Sequence, residues 1–516
     1  MHYERANGLY VVHFFCPKRK RAEFVFILTV NFNQSTIMRH LLTFCLGILL
    51  VQNIMAQQHA EQDHSKYVVP TDPQVQQKLQ QWQNVKFGLL MHWGTYSQWG
   101  IVESWSLCPE DEGWCERRGP YANDWYGYKK AYENLQHSFN PLDFNPDKWA
   151  KAAKAAGMKY VVFTTKHHDG FCMFDTKQTD YNVMQSPFGK NPKGNIALEV
   201  FKSFRAEDFM IGAYFSKPDW HTPDYWWPYF PPKDRNSSYP PKKYPEKWEK
   251  FKAFTYAQIQ ELMRDYGKMD ILWLDGGWVR PFSTIDTAIS WQKTIPFDQD
   301  IDMPKIAAMA RSYQPGLLVV DRTVTGPYEN YVTPEQQIPN HYMPIPWETC
   351  LTMGDSWSYI PKENFKPARK LIHILADVVS KNGNLLLNIA PSPQGDFHAE
   401  AYDRLQEIGK WMDINSEAIY GTTGDNSIGT QGKLVFTHKP DAVYAIYRAE
   451  EGENLPAKIE IKNLQLDKKA KISLLGSKDP LKWSNENGVI SISIPEKTAK
   501  IVSNSYAWVF KIVKNS

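Results

Sequence analysis

The sequence carries almost no net charge: 59 Lys and Arg against 56 Asp and Glu in 516 residues leave +3. A chain so near neutrality has no electrostatic footing for nucleic acid, which asks for a basic face. Cysteine is scarce, six in all, and no two are spaced as CxxC, so a thiolate zinc site lacks ligands of the usual spacing. No GxGxxG or GxxxxGK[ST] follows any strand candidate, which leaves dinucleotide and phosphate-loop readings without support. There is no Gly-x-Ser-x-Gly for a nucleophile-elbow hydrolase and no HExxH for a metalloprotease. The one marked apolar run, Leu41–Val51, is too short to cross a bilayer as a helix.

That run has another reading. Residues 1–37 hold a basic stretch, Lys18 to Arg21, and no clean periodicity, and read as an upstream over-prediction of the start. Residues 38–56 then look like a signal peptide: Met38, a basic Arg39-His40, the apolar run, and Ala56 at a plausible cleavage position. The alternative is a buried apolar helix in a cytosolic protein. The signal-peptide reading predicts an exported protein, periplasmic or extracellular, with no membrane segment in its mature form. In an oxidising compartment Cys108 and Cys115 could pair across a polar loop, whereas Cys172 and Cys350 lie beside apolar runs and read as buried thiols.

What the chain has in quantity is aromatic residues, 14% with 19 Trp and 27 Tyr. Such a load builds a large aromatic core or a carbohydrate site, since indole and phenol offer a flat apolar face with a polar edge. Between 85 and 420, short apolar runs alternate with helix-period stretches. Strands are predicted at 87–92, 160–166, 210–216, 270–275, 316–321 and 384–389, near-continuously apolar as parallel strands buried on both faces are. Helices are predicted at 146–156, opening on Pro146 and stopping at Gly157, and at 246–266 and 367–380. This is an α/β pattern, a (β/α)8-like TIM barrel over 57–423, with an open doubly wound sheet as the alternative. From 424 to 516 short alternating runs predict a C-terminal antiparallel β-sandwich.

In a barrel, polar groups at the C-terminal ends of strands are the candidates for chemistry. Here the strand ends carry His92, then His167 and His168, then Tyr214 and Ser216, then Trp273 and Asp275, then Asp321 and Arg322, and later Glu348 and Trp357. Asp275 follows an apolar strand and precedes two glycines, which permit close approach of a ligand. Trp273 shares its face by the two-residue period. A carboxylate beside an indole suits attack at an anomeric carbon; its bland role is to cap the next helix. Adjacent strand residues face opposite ways and no carboxylate cluster completes a ligand set, so His167 and His168 read as hydrogen-bonding groups for sugar hydroxyls rather than metal ligands. Arg322 offers a rigid fork of donors, with a salt bridge to Asp321 as its bland role.

The segments HWGTYSQWG, TTKHHDGF, GAYFSKPDW, LWLDGG, VDR, PWETC, GDSWSY, SKNGNLLLNIAPSPQGD and EAIYGT occur in this order. Together, from about Trp82 to Thr422, they resemble the α-L-fucosidases of glycoside hydrolase family 29, in their bacterial, exported form. The resemblance implies a catalytic (β/α)8-like barrel followed by a β-sandwich. It implies a retaining exo-glycosidase that removes terminal α-L-fucose from oligosaccharides or glycoconjugates, with no cofactor and no metal. It places the nucleophile at Asp275 and the acid/base at Glu335 in TPEQ, with Glu329 and Glu348 as competitors. For the sugar pocket it implies His92, His167, His168, Tyr214, Arg322 and Trp357, with Trp273 beside the nucleophile. The family's Glu-Trp pair after the first strand is matched only in part, by Glu103 and Trp105 in ESWSL and by Asp124 and Trp125 in NDWYG; Glu103 and Trp125 are taken as the pair. Two other readings stay open: an exo-glycosidase for α-L-galactosides, and a non-catalytic sugar-binding protein on the same scaffold. Nothing in the sequence sets the oligomeric state.

Overall fold

The computed structural model describes residues 3–6, 9–12, 66–109, 115–477, 479–501 and 505–513. Two units are distinguished, Met1–Gln62 and Asp63–Ser516. In the first, the described residues form two short antiparallel strands, Tyr3–Ala6 and Leu9–Val12, in a stretch where the sequence pattern predicts no folded segment. The apolar run 41–51 and Ala56 lie outside the described residues. Among the described residues no helix is long and apolar enough to cross a membrane.

The second unit opens with a parallel sheet: β1 (Phe87–Met91), β2 (Tyr160–Lys166), β3 (Met210–Ser216), β4 (Ile271–Asp275), β5 (Leu318–Asp321), β6 (Glu348–Thr352) and β7 (Asn384–Asn388). Neighbours follow in the order β5-β4-β3-β2-β1-β7-β6. Side chains alternate between two cores, as a two-residue period requires. Leu90, Tyr160, Val162, Tyr214, Ile271, Trp273, Leu318, Val320, Cys350 and Leu386 share the barrel interior. Leu89, Val161, Ile211, Leu272, Val319 and Leu387 belong to the larger core that includes the helices. Gly88 leaves room inside for Tyr160, whose ring would lie 2.4 Å from any Cβ added there. Helix α1 (Pro73–Val85), capped by Asp72, brings Val75, Leu79 and Trp82 into the interior cluster.

The gap between β5 and β6 is closed by an irregular segment, 328–336. On one side Asp321 N–H donates to Tyr328 O and Asn330 N–H to Val319 O; on the other, Glu348 N–H donates to Val332 O and Gln336 N–H to Cys350 O. The barrel is therefore seven strands and one irregular stave, and the stave carries Glu335. Strand β6 (ETCLT) was not among the predicted strands, because it opens on a charged residue and has a single aliphatic side chain.

The sheet after it is antiparallel, β8 (Thr423–Gly424), β9 (Leu434–Lys439), β10 (Ala442–Arg448), β11 (Lys458–Ile461), β12 (Lys471–Leu474), β13 (Pro480–Glu486), β14 (Val489–Ser493) and β15 (Ala507–Val513). Its order is β8-β9-β10-β15-β12-β13-β14-β11, and it folds over one core that includes Val443, Ile459, Ile472, Ile490 and Phe510. The pairing of Cys108 with Cys115 is not formed: Cys115 is a free thiol, and Cys172 and Cys350 are buried.

Candidate active site

Asp275 is the last residue of β4, at the barrel mouth, with 19% of its side chain exposed. Its Oδ2 accepts from the Tyr214 hydroxyl at 2.7 Å, and its Oδ1 accepts from Arg322 Nη1 at 2.9 Å and from Gly276 N–H at 2.8 Å. It caps no helix. Burial alone would push its carboxyl up; Arg322, His168, the Tyr214 hydroxyl and the Gly276 amide outweigh burial and hold it well below the ordinary carboxylate range.

Arg322 is the hub. Its other arm, Nη2, donates to Glu335 Oε2 at 2.8 Å, its Nε donates to Thr333 Oγ1 at 3.1 Å, and its guanidinium lies 4.5 Å from the Trp273 ring centre. The alternative partner Asp321 is taken by Lys217 instead, which leaves both terminal nitrogens for the two carboxylates. Glu335 itself has 46% of its side chain open to solvent. Glu329 and Glu348 are buried. Glu329 accepts from Thr323 N–H. Glu348 accepts from the Tyr160 hydroxyl at 2.7 Å and from Trp273 Nε1 at 3.1 Å inside the barrel.

Three histidines line the same mouth. Asn388 Nδ2 donates to Trp357 O, so its Oδ1 accepts, from the His92 amide and from His92 Nδ1–H at 2.9 Å. The Nε2 of His92 is thereby left with a lone pair. His167 Nδ1 lies 2.6 Å from Ser104 Oγ, and His168 Nδ1 contacts Ser216 Oγ. His168 Nε2 stands 3.9 Å from Asp275 Oδ2. Burial lowers all three, His168 to about 4, so the rings are neutral near pH 7. The alternation argument against a shared face fails here, since β2 ends at Lys166. His167 and His168 are loop residues with ring centres 4.1 Å apart.

Ligand atoms of His167, His168 and Asp275 lie within 4.8 Å of one another, and these residues could hold a metal ion. Arg322, 2.9 Å from Asp275, sets a fixed positive charge against any cation there.

Glu103 and Trp105 come to this mouth together. Glu103 is buried, its Oε1 has no hydrogen-bond partner, and its carboxyl is pushed up to about 8, by burial first and then by the fields of Glu335 and Asp275. Trp105 packs edge-on to His168 with centres 5.1 Å apart. Trp125 turns elsewhere: its indole N–H donates to Leu107 O and its ring meets Trp226. Asp124 caps the helix Trp125–Glu133. Trp273 stands behind the mouth, buried, stacked on Tyr214 and donating to Glu348. Trp357 remains half-buried beside His92. Sequence reasoning missed Ser104, Lys217 and Asn388. Asn388 carried a usable signal, being a polar residue at the end of an apolar strand, the rule that found Asp275.

Comparison with known proteins agrees with this architecture. Residues 54–417 match the family model described as α-L-fucosidase, and residues 429–513 that of the α-L-fucosidase C-terminal domain. The tissue α-L-fucosidase of Mus musculus is 29% identical over 454 residues, covering 83% of this chain and 90% of that protein. Among solved structures, α-L-fucosidase isoenzyme 1 from Paenibacillus thiaminolyticus is 27% identical with a TM-score of 0.68, covering 86% of this chain and all of that one. The Thermotoga maritima α-fucosidase in complex with a mechanism-based inhibitor is 26% identical with a TM-score of 0.65, over 87% of this chain and all of that one.

Proposed function

The chain belongs to the α-L-fucosidase family, and from that premise we propose that Asp275 and Glu335 carry out its hydrolysis of terminal α-L-fucosides by double displacement. It is a retaining glycoside hydrolase. The observation that carries the assignment is Arg322, whose two terminal nitrogens hold the two carboxylates. A retaining pair needs its carboxyl groups close together, about 5–5.5 Å apart, and one guanidinium bonded to both keeps them near each other. Asp275, kept ionised, attacks the anomeric carbon while Glu335 protonates the departing oxygen. Water, deprotonated by Glu335, then attacks the glycosyl-enzyme from the face the leaving group vacated and releases Asp275. Glu335 suits that double role because leaving group and water both need an open carboxyl; buried Glu329 and Glu348 offer none. Neutral His92, His167 and His168 meet sugar hydroxyls, and half-buried Trp357 offers an aromatic wall to the 6-methyl group, which Tyr214, fully buried against Trp273, does not. The substrate is a fucosylated oligosaccharide or glycoconjugate.

The test is turnover of an aryl α-L-fucoside against the matching α-L-galactoside, followed by azide rescue of two variants. Wild type should prefer the fucoside; preference for the galactoside, or no turnover of either, would favour the two other readings. Asp275→Gly should lose several orders of magnitude, and azide, attacking once, should give the β-L-fucosyl azide. Glu335→Ala with azide should give the α-L-fucosyl azide, because two inversions restore the starting configuration. The same configuration from both variants would sink the paired assignment.

We also propose a bacterial enzyme exported by the segment 38–56. What supports this is the basic, apolar and small-residue order from Met38 to Ala56 and the bacterial source of the solved structures it resembles. N-terminal sequencing of the native protein should read from near Gln57; a native N-terminus at Met1 would overturn it.

A further inference from the structure

Beside the proposed nucleophile lies an ion pair that takes no part in the chemistry above. Lys217 Nζ donates to Asp321 Oδ1, with the two side chains 0% and 3% exposed. A pair so fully removed from water is a poor source of stability, since desolvation offsets most of the attraction. Its place in the barrel is more telling. β4 runs between β3 and β5. Lys217 follows the last residue of β3, and Asp321 is the last residue of β5. The pair therefore joins the two neighbours across the end of β4, where Asp275 sits.

The backbone is gripped at the same level. Lys217 N–H donates to Asp275 O at 2.9 Å, and Arg322 N–H donates to Leu274 O at 3.2 Å. The next residues on each side close on the two glycines. A Cβ at Gly276, where φ is +85°, would lie 2.2 Å from Pro218 Cδ, and one at Gly277 would lie 2.0 Å from Thr323 Oγ1. Asp321 also precedes Arg322, so its anchoring sets where the guanidinium starts toward Asp275 and Glu335. Ser216, which precedes Lys217, holds His168.

We propose that Lys217 and Asp321 form a strap across the end of β4, a positioning pair that sets the line of attack of Asp275 and seats Arg322. The proposal rests on Asp275 being the nucleophile.

The double variant Lys217→Met with Asp321→Leu tests it. Both charges of the pair go and apolar side chains replace them, so neither partner is left alone; buried Arg280, whose charge Asp321 favours, then keeps Glu329 and Asp286 as its anionic neighbours. We expect a thermal midpoint near that of wild type, KM for an aryl fucoside within about threefold, and kcat lower by about 100-fold, the scale of loss for a displacement near 1 Å. Wild-type kcat in this variant would mean a purely structural pair and would overturn the proposal. Should the double variant not fold, Asp321→Glu keeps the charge and lengthens the arm by one methylene. Its kcat should fall about tenfold at constant KM, and an unchanged kcat would likewise overturn the strap. Asp275→Ala, run in parallel, separates the two readings. If it keeps turnover, the nucleophile assignment fails and the strap with it; if it is inactive while the double variant runs at full rate, the strap alone fails.

Discussion

Arg322 meets Asp275 with one arm and Glu335 with the other while its plane rests on Trp273. A lysine ammonium could donate to both carboxylates, but as a point charge it would neither fix them in one plane nor lie flat on an indole. Burial pushes the Asp275 carboxyl up, and Arg322 is the largest of the influences pulling it down. Replacing Arg322 by Met should therefore raise the Asp275 pKa toward its ordinary value. As the proposed nucleophile, Asp275 would attack as a carboxylate, so the acid limb of kcat/KM should move to higher pH, with an overall loss of about 100- to 1,000-fold. A pH–rate profile on an aryl fucoside reads both effects, and an acid limb that stays where wild type has it would transfer the ionisation of Asp275 to other groups. Residues of this kind were legible in the sequence because strand ends are: a polar residue closing an apolar run has few other roles. Trp125 and Trp273 mark the limit of that legibility. Both are aromatic residues of the right motifs, yet one turns to Trp226 and the other to Glu348, and no local pattern encodes which way an indole turns.

Among the elements, β6 and the stave before it show what sequence patterning leaves out. The parallel strands buried on both faces write themselves as apolar runs, and β2 and β3 fall on 160–166 and 210–216 as predicted. β6 begins with Glu348, and β13, mostly exposed, reads as a polar stretch. The stave has no period at all, because its partners are backbone groups of β5 and β6 contributed by the rest of the fold. Glu348 explains why a charged residue opens an interior strand. It accepts from Tyr160 and Trp273, and burial pushes its carboxyl up to about 7. Glu348→Ala would strand both donors inside the barrel at a cost of about 1–3 kcal/mol each. It would also loosen the indole on which Arg322 rests. Thermal unfolding should register the first effect. A series of aryl fucosides should register the second as an equal loss of kcat at every leaving-group pKa, in contrast to the steep dependence expected of Glu335→Ala. Glu348→Gln, which can accept from Trp273 and donate to the Tyr160 oxygen, should be much milder. A leaving-group dependence in Glu348→Ala would instead make Glu348 the acid.

The whole molecule buries groups whose titrations pull its stability in opposite directions. Burial pushes the Glu103 and Glu329 carboxyls up to about 8 and that of Glu348 to about 7, from 4.5 in the unfolded chain. Each binds its proton more tightly when folded. Their contribution is therefore present in full below about pH 4.5 and is lost as pH rises through the folded values. Burial acts the other way on His92, His167 and His168, lowered from 6.5, so stability falls as pH drops and the unfolded chain takes up protons first. The two trends oppose each other between about pH 4.5 and 6.5; of these six groups only the glutamates act above that, and their contribution to Tm should decline toward pH 8. Glu329 isolates the effect, since it accepts a single backbone bond, from Thr323 N–H at 3.0 Å, which an amide oxygen can accept as well. Glu329→Gln removes the titration and keeps the bond. Its Tm should match wild type near pH 4 and exceed it at pH 8, by a stability gain on the order of 4 kcal/mol. Thermal denaturation of both proteins at the two pH values decides the matter. A shift of equal size at both would mean that the substitution acts through packing, and that ionisation of the Glu329 carboxyl does not drive the alkaline decline.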